Sequence, residues 1–135
     1  MISDNPEYIP RRATIGSAGY DVYAQKRIVL NGTEWQTVDM GFRFEEGDIP
    51  SGCVAILTVR SSAGSKKGVH MRNTIGIIDS DYHENVLATM KTDGEEAVFE
   101  AGDRILQFII VPFMTVKGEI EPKAARTSGY GSTGR

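Results

Sequence analysis

The sequence predicts an all-β domain with one short helix, on three observations. The apolar runs are short and rich in Val and Ile, the residues that suit a pleated, half-buried surface. Turn residues separate them, and 15 glycines supply much of that punctuation. The clearest patterned segment alternates with period two, since Val38, Met40, Phe42 and Phe44 are interleaved with Asp39, Gly41 and Arg43.

Taken in order, 27–30 (Arg-Ile-Val-Leu) reads as a strand that stops at Asn31-Gly32, a strong turn signal. The alternating run 38–44 reads as a strand with one buried face. Residues 53–59 form a near-continuous apolar run that suits a strand covered on both faces. The one predicted helix covers 62–67, with Ser61 or Ser62 as its N-cap. A further strand is expected over 84–91, ending at Asp93-Gly94. The segment 104–116 is long enough for two strands, with Pro112 marking a bend or an edge. No internal repeat or linker interrupts the chain. The last residues, from Thr127 to Gly134, are too glycine-rich to fold alone and read as a flexible arm that needs a surface to close upon. The expected organisation is a β-domain over 1–125 followed by an arm over 126–135.

Composition narrows the function classes. At 135 residues the chain makes one domain with room for a substantial core. Apolar residues at 40% and charged residues at 24% are ordinary for a soluble globular protein. A formal net charge of −3 gives no support to general nucleic-acid or membrane binding, so any polyanionic ligand depends on local arginines. Cys53 is the only cysteine; it can form no intrachain disulfide, reads as a small packed hydrophobe, and points to the cytoplasm. No apolar signal core opens the sequence, and no run approaches membrane-spanning length.

The most informative segment is 76–82, GIIDSDY, where the apolar tail of a strand runs straight into Asp79, Ser80, Asp81 and Tyr82. Burying two carboxylates there is costly unless they have partners or a task. One of them can orient and deprotonate a water, with the Tyr82 ring stacking on a substrate face. An ordinary acidic β-turn explains the same letters. Four other segments share this polarity. Ser17-Ala18-Gly19-Tyr20-Asp21 sets an acid at the start of a strand. Arg60-Ser61-Ser62 offers a guanidinium, two hydroxyls and a helix start to a phosphate, and reads equally as a cap beside a surface Arg. Gly102-Asp103-Arg104 with Gln107 reads as ligand-binding or as a structural ion pair. Arg126 with Gly129-Tyr130-Gly131-Ser132-Thr133-Gly134 places an aromatic in a loop able to approach phosphates closely, or is an untethered tail.

In this order and at this spacing, the five segments resemble the five motifs of the trimeric deoxyuridine triphosphatases (dUTPases), over nearly the whole chain from Ser17 to Gly134. Pro10-Arg11-Arg12-Ala13-Thr14 and the Lys66-Lys67-Gly68 insert are most similar to versions from low-GC Gram-positive bacteria and their phages. The resemblance implies a β-barrel-like jelly roll assembled as a homotrimer, with each active site drawn from all three subunits. The implied reaction is dUTP plus water to dUMP and pyrophosphate, with Mg²⁺ on the phosphates. Such a reaction keeps uracil out of DNA and supplies dUMP for thymidylate synthesis.

Carried over residue by residue, the resemblance makes Asp79 the general base and Tyr82 the ring that stacks on deoxyribose and excludes a 2′-hydroxyl. Asn73 lies on a hairpin reading the uracil edge. Asp21 holds magnesium through its water shell. Arg60, Ser61, Ser62 and Gln107 bind the phosphates. In the arm, which closes a neighbouring subunit's site, Arg126 reaches the γ-phosphate, Tyr130 covers uracil in place of the usual Phe, and Ser132 and Thr133 add phosphate contacts. The scheme is physically coherent. Mg²⁺, Arg60 and Arg126 would offset the charge that repels hydroxide from the α-phosphate, and Asp79 would align the water. A hairpin donor facing O4 and an acceptor facing N3–H would reject cytosine by leaving groups unpaired, and sterics would reject the thymine methyl.

The sequence departs from the common pattern in three places. Ala63-Gly64-Ser65 stands where Leu-Ala is usual, His83-Glu84-Asn85 replaces a basic residue and Gly after the Tyr, and fewer residues separate Arg126 from Gly129. His70 and His83, lacking metal-ligand spacing, read as surface or packing residues. The related deoxycytidine triphosphate deaminases share the fold and an Arg-Ser-Ser segment, but lack the Asp-Ser-Asp-Tyr run seen here. A regulatory or interaction protein on the same fold is the other rival, set against the full complement of catalytic-type residues.

Overall fold

The computed structural model describes residues 1–124 and residue 126. Among the described residues twelve strands carry the fold: β1 (Ile2–Ser3), β2 (Arg11–Arg12), β3 (Tyr20–Tyr23), β4 (Ile28–Leu30), β5 (Gln36–Asp39), β6 (Phe42–Arg43), β7 (Cys53–Val59), β8 (His70–Met71), β9 (Gly76–Ile78), β10 (Leu87–Lys91), β11 (Ala97–Phe99) and β12 (Arg104–Pro112). One α-helix, α1 (Ser61–Lys67), follows β7, and a 3₁₀ turn spans Pro6–Tyr8. Every strand pairing is antiparallel. Among the described residues no helix is long and apolar enough to cross a membrane.

The largest sheet has the order β2-β3-β12-β7-β9, with β12 at its centre. Ala55 and Leu57 of β7 and Leu106 and Phe108 of β12 face inward, while Val54, Ile56, Ile109 and Val111 lie half-buried on the other face. Phe108 stacks on Tyr20 at 5.0 Å between centroids and meets the edge of Phe44 at 4.9 Å. Phe42 lies against both Phe44 and Phe108. These rings form the centre of the core, where removing one typically costs about 3–5 kcal/mol.

A three-stranded sheet β5-β10-β8 and a pair β11-β4 complete the layers. The turn signals Asn31-Gly32 and Asp93-Gly94 both lie where the chain passes between these two sheets. Gly32 has φ 117°, and a Cβ on it would stand 2.9 Å from the Gly94 carbonyl oxygen, so the two turns pack backbone to backbone.

Several expectations need correction. The run 38–44 is not one strand, because Gly41 adopts φ 68° and divides β5 from β6. Its apolar members still point inward, with Met40, Phe42 and Phe44 buried. The segment 104–116 contributes one nine-residue strand rather than two, ending at Pro112. The strand expected from Glu84 begins at Leu87. Helix α1 starts at Ser61, so neither serine is its N-cap; Arg60 holds that position, with no side-chain cap. The helix ends in a left-handed Gly68, whose N–H bonds back to the Gly64 carbonyl while the next N–H, of Val69, bonds to the Ala63 carbonyl.

Candidate active site

The predicted site residues fall into two groups at separate places on the chain. The first is built where β9 leaves the sheet. Register fixes that point: Ala55 pairs with Ile78, Ile56 with Ile77 and Leu57 with Gly76. Beyond Ile78 the chain turns, with the Tyr82 N–H bonded to the Asp79 carbonyl at 3.1 Å. Asp79 and Asp81 project from this turn with side chains 53% and 43% exposed, which corrects the expectation of two buried carboxylates. The strand is buried, but the acids begin where it ends.

Arg126 partners both acids. Its Nη2 donates to Asp79 Oδ2 at 2.6 Å and its Nε to Asp81 Oδ1 at 3.2 Å. Its backbone N–H donates to Asp81 Oδ2 at 3.0 Å. The guanidinium also lies 5.5 Å from the Tyr82 ring centroid. Some desolvation of Asp81 pushes its pKa upward, but the backbone hydrogen bond, the guanidinium hydrogen bond and the positive charge of Arg126 outweigh it, leaving the carboxyl below its ordinary value. Tyr82 is buried, with its hydroxyl donating to the Asn85 carbonyl at 2.8 Å. A cavity of about 360 Å³ opens beside this turn, lined by Asn73, Gly76, Asp79, Tyr82 and Arg126 among others. Its lining mixes the aliphatic Leu57, Ile78 and Val86 with the polar Asn73, Asp79 and Thr89, the composition of a small-molecule pocket. Asn73 lies on the turn joining β8 to β9, where Thr74 takes φ 64°, an outlier for a β-branched residue.

The second group sits on the large sheet. Cross-strand register sets Asp21 of β3 opposite Gln107 of β12, and Gln107 opposite Thr58 of β7. Arg60 follows β7 directly, its N–H bonded to the Ile105 carbonyl at 3.0 Å. Asp21 is buried and receives Arg60 Nε at 2.8 Å on one oxygen and Arg104 Nη1 at 3.6 Å on the other. Arg60 Nη1 also donates to Ser62 Oγ at 3.2 Å. Ser61 is exposed at the first position of α1, and its carbonyl accepts from Ser65 Oγ at 2.6 Å. Gly19 leaves room beside this cluster for the Gln107 amide, whose Oε1 would stand 2.5 Å from a Cβ at that position and would have to swing away. Arg60, Ser62 and Arg104 line a cavity of about 390 Å³ with Lys66 and Lys67. This concave, cation-rich surface has the chemistry of a phosphate site.

Arg104 is a member that sequence reasoning assigned elsewhere. The adjacent Asp103 suggested a local ion pair, but Asp103 accepts from the Glu100 N–H instead, while Arg104 reaches Asp21. Only the β3–β12 pairing carries that information. The two cavities share no lining residue. Tyr130, Ser132 and Thr133 lie outside the described residues. The histidines follow expectation: His70 pairs with Asp93 on the surface, and the His83 ring lies 3.1 Å from the Phe44 carbonyl. Among the described residues no cluster of His, Cys, Asp or Glu forms a metal cage. A single carboxylate meeting Mg²⁺ through water fits that donor set, because magnesium keeps several waters and takes other ligands from substrate phosphates.

Comparison with known proteins identifies the family. The family model described as dUTPase matches residues 5–134. The deoxyuridine 5'-triphosphate nucleotidohydrolase of Lactococcus lactis is 34% identical over 134 residues, covering 93% of this chain and 87% of its own. The crystal structure of dUTPase from Streptococcus mutans superposes with a TM-score of 0.73 at 30% identity, covering 86% of this chain and 94% of that one. A Staphylococcus bacteriophage 80alpha dUTPase mutant with dUpNHpp superposes at 0.71 and 27% identity, covering 94% and 92% of the two chains. With a family match spanning both half-sites, this chain belongs to the dUTPase family.

Proposed function

We propose that this dUTPase hydrolyses dUTP to dUMP and pyrophosphate at a site whose base-reading half is the Asp79 turn and whose phosphate half is the Asp21–Arg60 cluster. The observation that carries the reading is Asp79 standing on the wall of a cavity that Asn73 and Tyr82 also line. Uracil enters that cavity against backbone groups near Asn73, and the sugar lies against Tyr82. Asp79 takes the proton from a water aligned on the α-phosphate. Arg60, Ser61, Ser62 and Gln107 hold the phosphates, and Arg126 exchanges its contact with Asp79 for the γ-phosphate. Tyr130 covers the base, with Ser132 and Thr133 adding phosphate contacts. Asp21 would hold Mg²⁺ through the ion's water shell, and the ion would supply positive charge to offset the phosphate oxygens.

The site is completed in a homotrimer. Two features support this: the half-sites are separate on one chain, and an apolar row crosses the outer face of the large sheet. In that row Ile109 pairs with Ile56 and Ile56 with Ile77, which is 60% exposed. A second copy covering the row would remove that apolar surface from water. In this arrangement the arm after Arg126 closes a neighbouring subunit's site. The reading includes a cytoplasmic location, supported by the solitary thiol of Cys53.

The test is pyrophosphate release measured in parallel with dUTP, dCTP, dTTP and UTP. Turnover confined to dUTP is expected. Equal turnover of dCTP would remove the base-reading role of the Asn73 turn, and ammonia release from dCTP would move the chain to the deaminase reading.

A further inference from the structure

The only tryptophan of the chain, Trp35, lies outside every segment assigned so far, yet it touches the turn that reads the base. It precedes β5, which pairs Gln36 with Met90 of β10, while Met90 pairs on its other side with Met71 of β8. Met71 and Met90 are buried, so their row faces the core. The rungs on either side of that row face outward: Lys91, paired with His70, lies alongside Trp35 on one, and Arg72 lies beside Thr89 on the other, so the three side chains share the outer face. Lys91 Nζ stands 4.7 Å from the Trp35 ring centroid and the Arg72 guanidinium 5.8 Å from it. The Arg72 backbone N–H is bonded to the Thr89 carbonyl at 2.9 Å. The very next residue is Asn73, and beyond it comes Thr74 with its left-handed backbone.

We propose that Trp35 and Arg72 are positioning residues for uracil recognition, the indole face anchoring the Arg72 side chain and so holding the Asn73–Thr74 turn in its binding geometry. The inference rests on the reading of that turn as the base-reading element. Arg72 is held at two points, by its backbone on β10 and by its guanidinium on the indole. It also lines the cavity alongside Asn73. The turn is exposed from Arg72 to Ile75, so core packing does little to hold it. A left-handed β-branched residue persists only where surrounding contacts over-determine it. A cation over an indole supplies such a contact, and aromatic faces rank Trp above Tyr and Phe. Lys91 shares the ring and would retain it in place when Arg72 is removed.

The experiment uses the full chain, with dUMP as binding probe and dUTP as substrate. Because Trp35 is the only indole, its emission reports the contact directly. Titration with dUMP is expected to change Trp35 emission saturably, with a midpoint equal to the dUMP inhibition constant. Trp35→Leu, which keeps apolar bulk and loses the π face, is expected to raise KM for dUTP about 5-fold with kcat within about 2-fold. Trp35→Tyr is expected to restore most of the loss. Arg72→Ala should reproduce the KM effect, abolish most of the dUMP-dependent emission change, and add nothing in the Trp35→Leu background.

Equal behaviour of Trp35→Leu and Trp35→Tyr would overturn the proposal, as would additive effects of Trp35→Leu and Arg72→Ala. If Trp35→Leu does not fold, Arg72→Ala with Trp35 emission intact decides alone: unchanged KM and an unchanged emission response overturn the proposal. Asn73→Ala separates the two levels of failure. If it leaves dUMP binding intact, the base-reading assignment itself falls; if it weakens dUMP while Trp35 and Arg72 variants do not, only the positioning role falls.

Discussion

The two half-sites use the same kinds of residue in opposite ways. At Asp21 a buried carboxylate on a central-sheet strand is held by Arg60 and Arg104, both placed by β-pairing. At Asp79 an exposed carboxylate leaves the sheet in a turn, and its partner Arg126 arrives from far along the chain. A carboxylate inside a paired sheet contributes to the fold and binds through groups already in place. A carboxylate at the end of a strand can change partners at little structural cost, which suits the general-base role proposed for Asp79. The comparison predicts that damage to the Asp79 side appears in rate and damage to the Asp21 side appears also in stability.

The largest effect is expected for Asp79→Asn, which keeps size but cannot take a proton. Its kcat should fall by about 10²–10⁴-fold while dUTP affinity stays within a small factor. Near wild-type kcat would remove Asp79 as the base. Truncation after Ala125 should lower turnover on the order of 10²-fold by removing phosphate positioning and closure. Its thermal midpoint and oligomeric state should stay nearly unchanged, and a truncated protein that dissociates would make the segment structural instead.

Mixing these two inactive proteins sharpens the comparison further. If base and arm come from different subunits, co-refolded mixtures should regain activity with a maximum at intermediate ratio. Hybrids verified by mass spectrometry that stay inactive at every ratio would mean that Arg126 serves the Asp79 of its own chain, the contact described above.

Asp21→Ala should cost about 3 kcal/mol, because it leaves Arg60 and Arg104 without their buried partner, and should lower the Tm by roughly 10 °C. Asp79→Ala should leave Tm almost unmoved. Equal losses for the two, measured by thermal unfolding, would break the contrast between sheet-borne and turn-borne acids.

The smallest effect concerns pH. The folded-state pKa of Asp81 is lowered, so its pairing with Arg126 stabilises fully above the unfolded carboxylate pKa. That contribution is lost as pH falls through the folded value. The Tm difference between wild type and Asp81→Asn should therefore be present at neutral pH and close below about pH 4. A difference that persists at low pH would mean that the carboxylate charge is not what Arg126 reads.

Local chemistry determined a good deal. Short Val- and Ile-rich runs declared strands, Asn31-Gly32 and Asp93-Gly94 declared turns, and the order of five short motifs carried the family. Strand ends were less legible. Gly41 divided a run whose alternation continued unbroken, because inward-facing parity survives a glycine kink although the hydrogen-bond ladder does not. Pro112 ended a strand where the letters allowed a second, since that residue lies at the limit of its pairing with Cys53.

Partnership was decided by tertiary structure alone. Nothing near Asp21 in sequence names Arg104, and nothing near Trp35 names Arg72; the first pair meets because β3 and β12 are register neighbours, the second because β10 sets β5 and β8 on either side of it. The exposure of Asp79 likewise follows from where β9 stops pairing with β7, one residue before the acid. Residue types and their order set which chemistry the chain can perform. Which charge faces which depends on contacts between segments distant in sequence, and only the folded sheet brings those together.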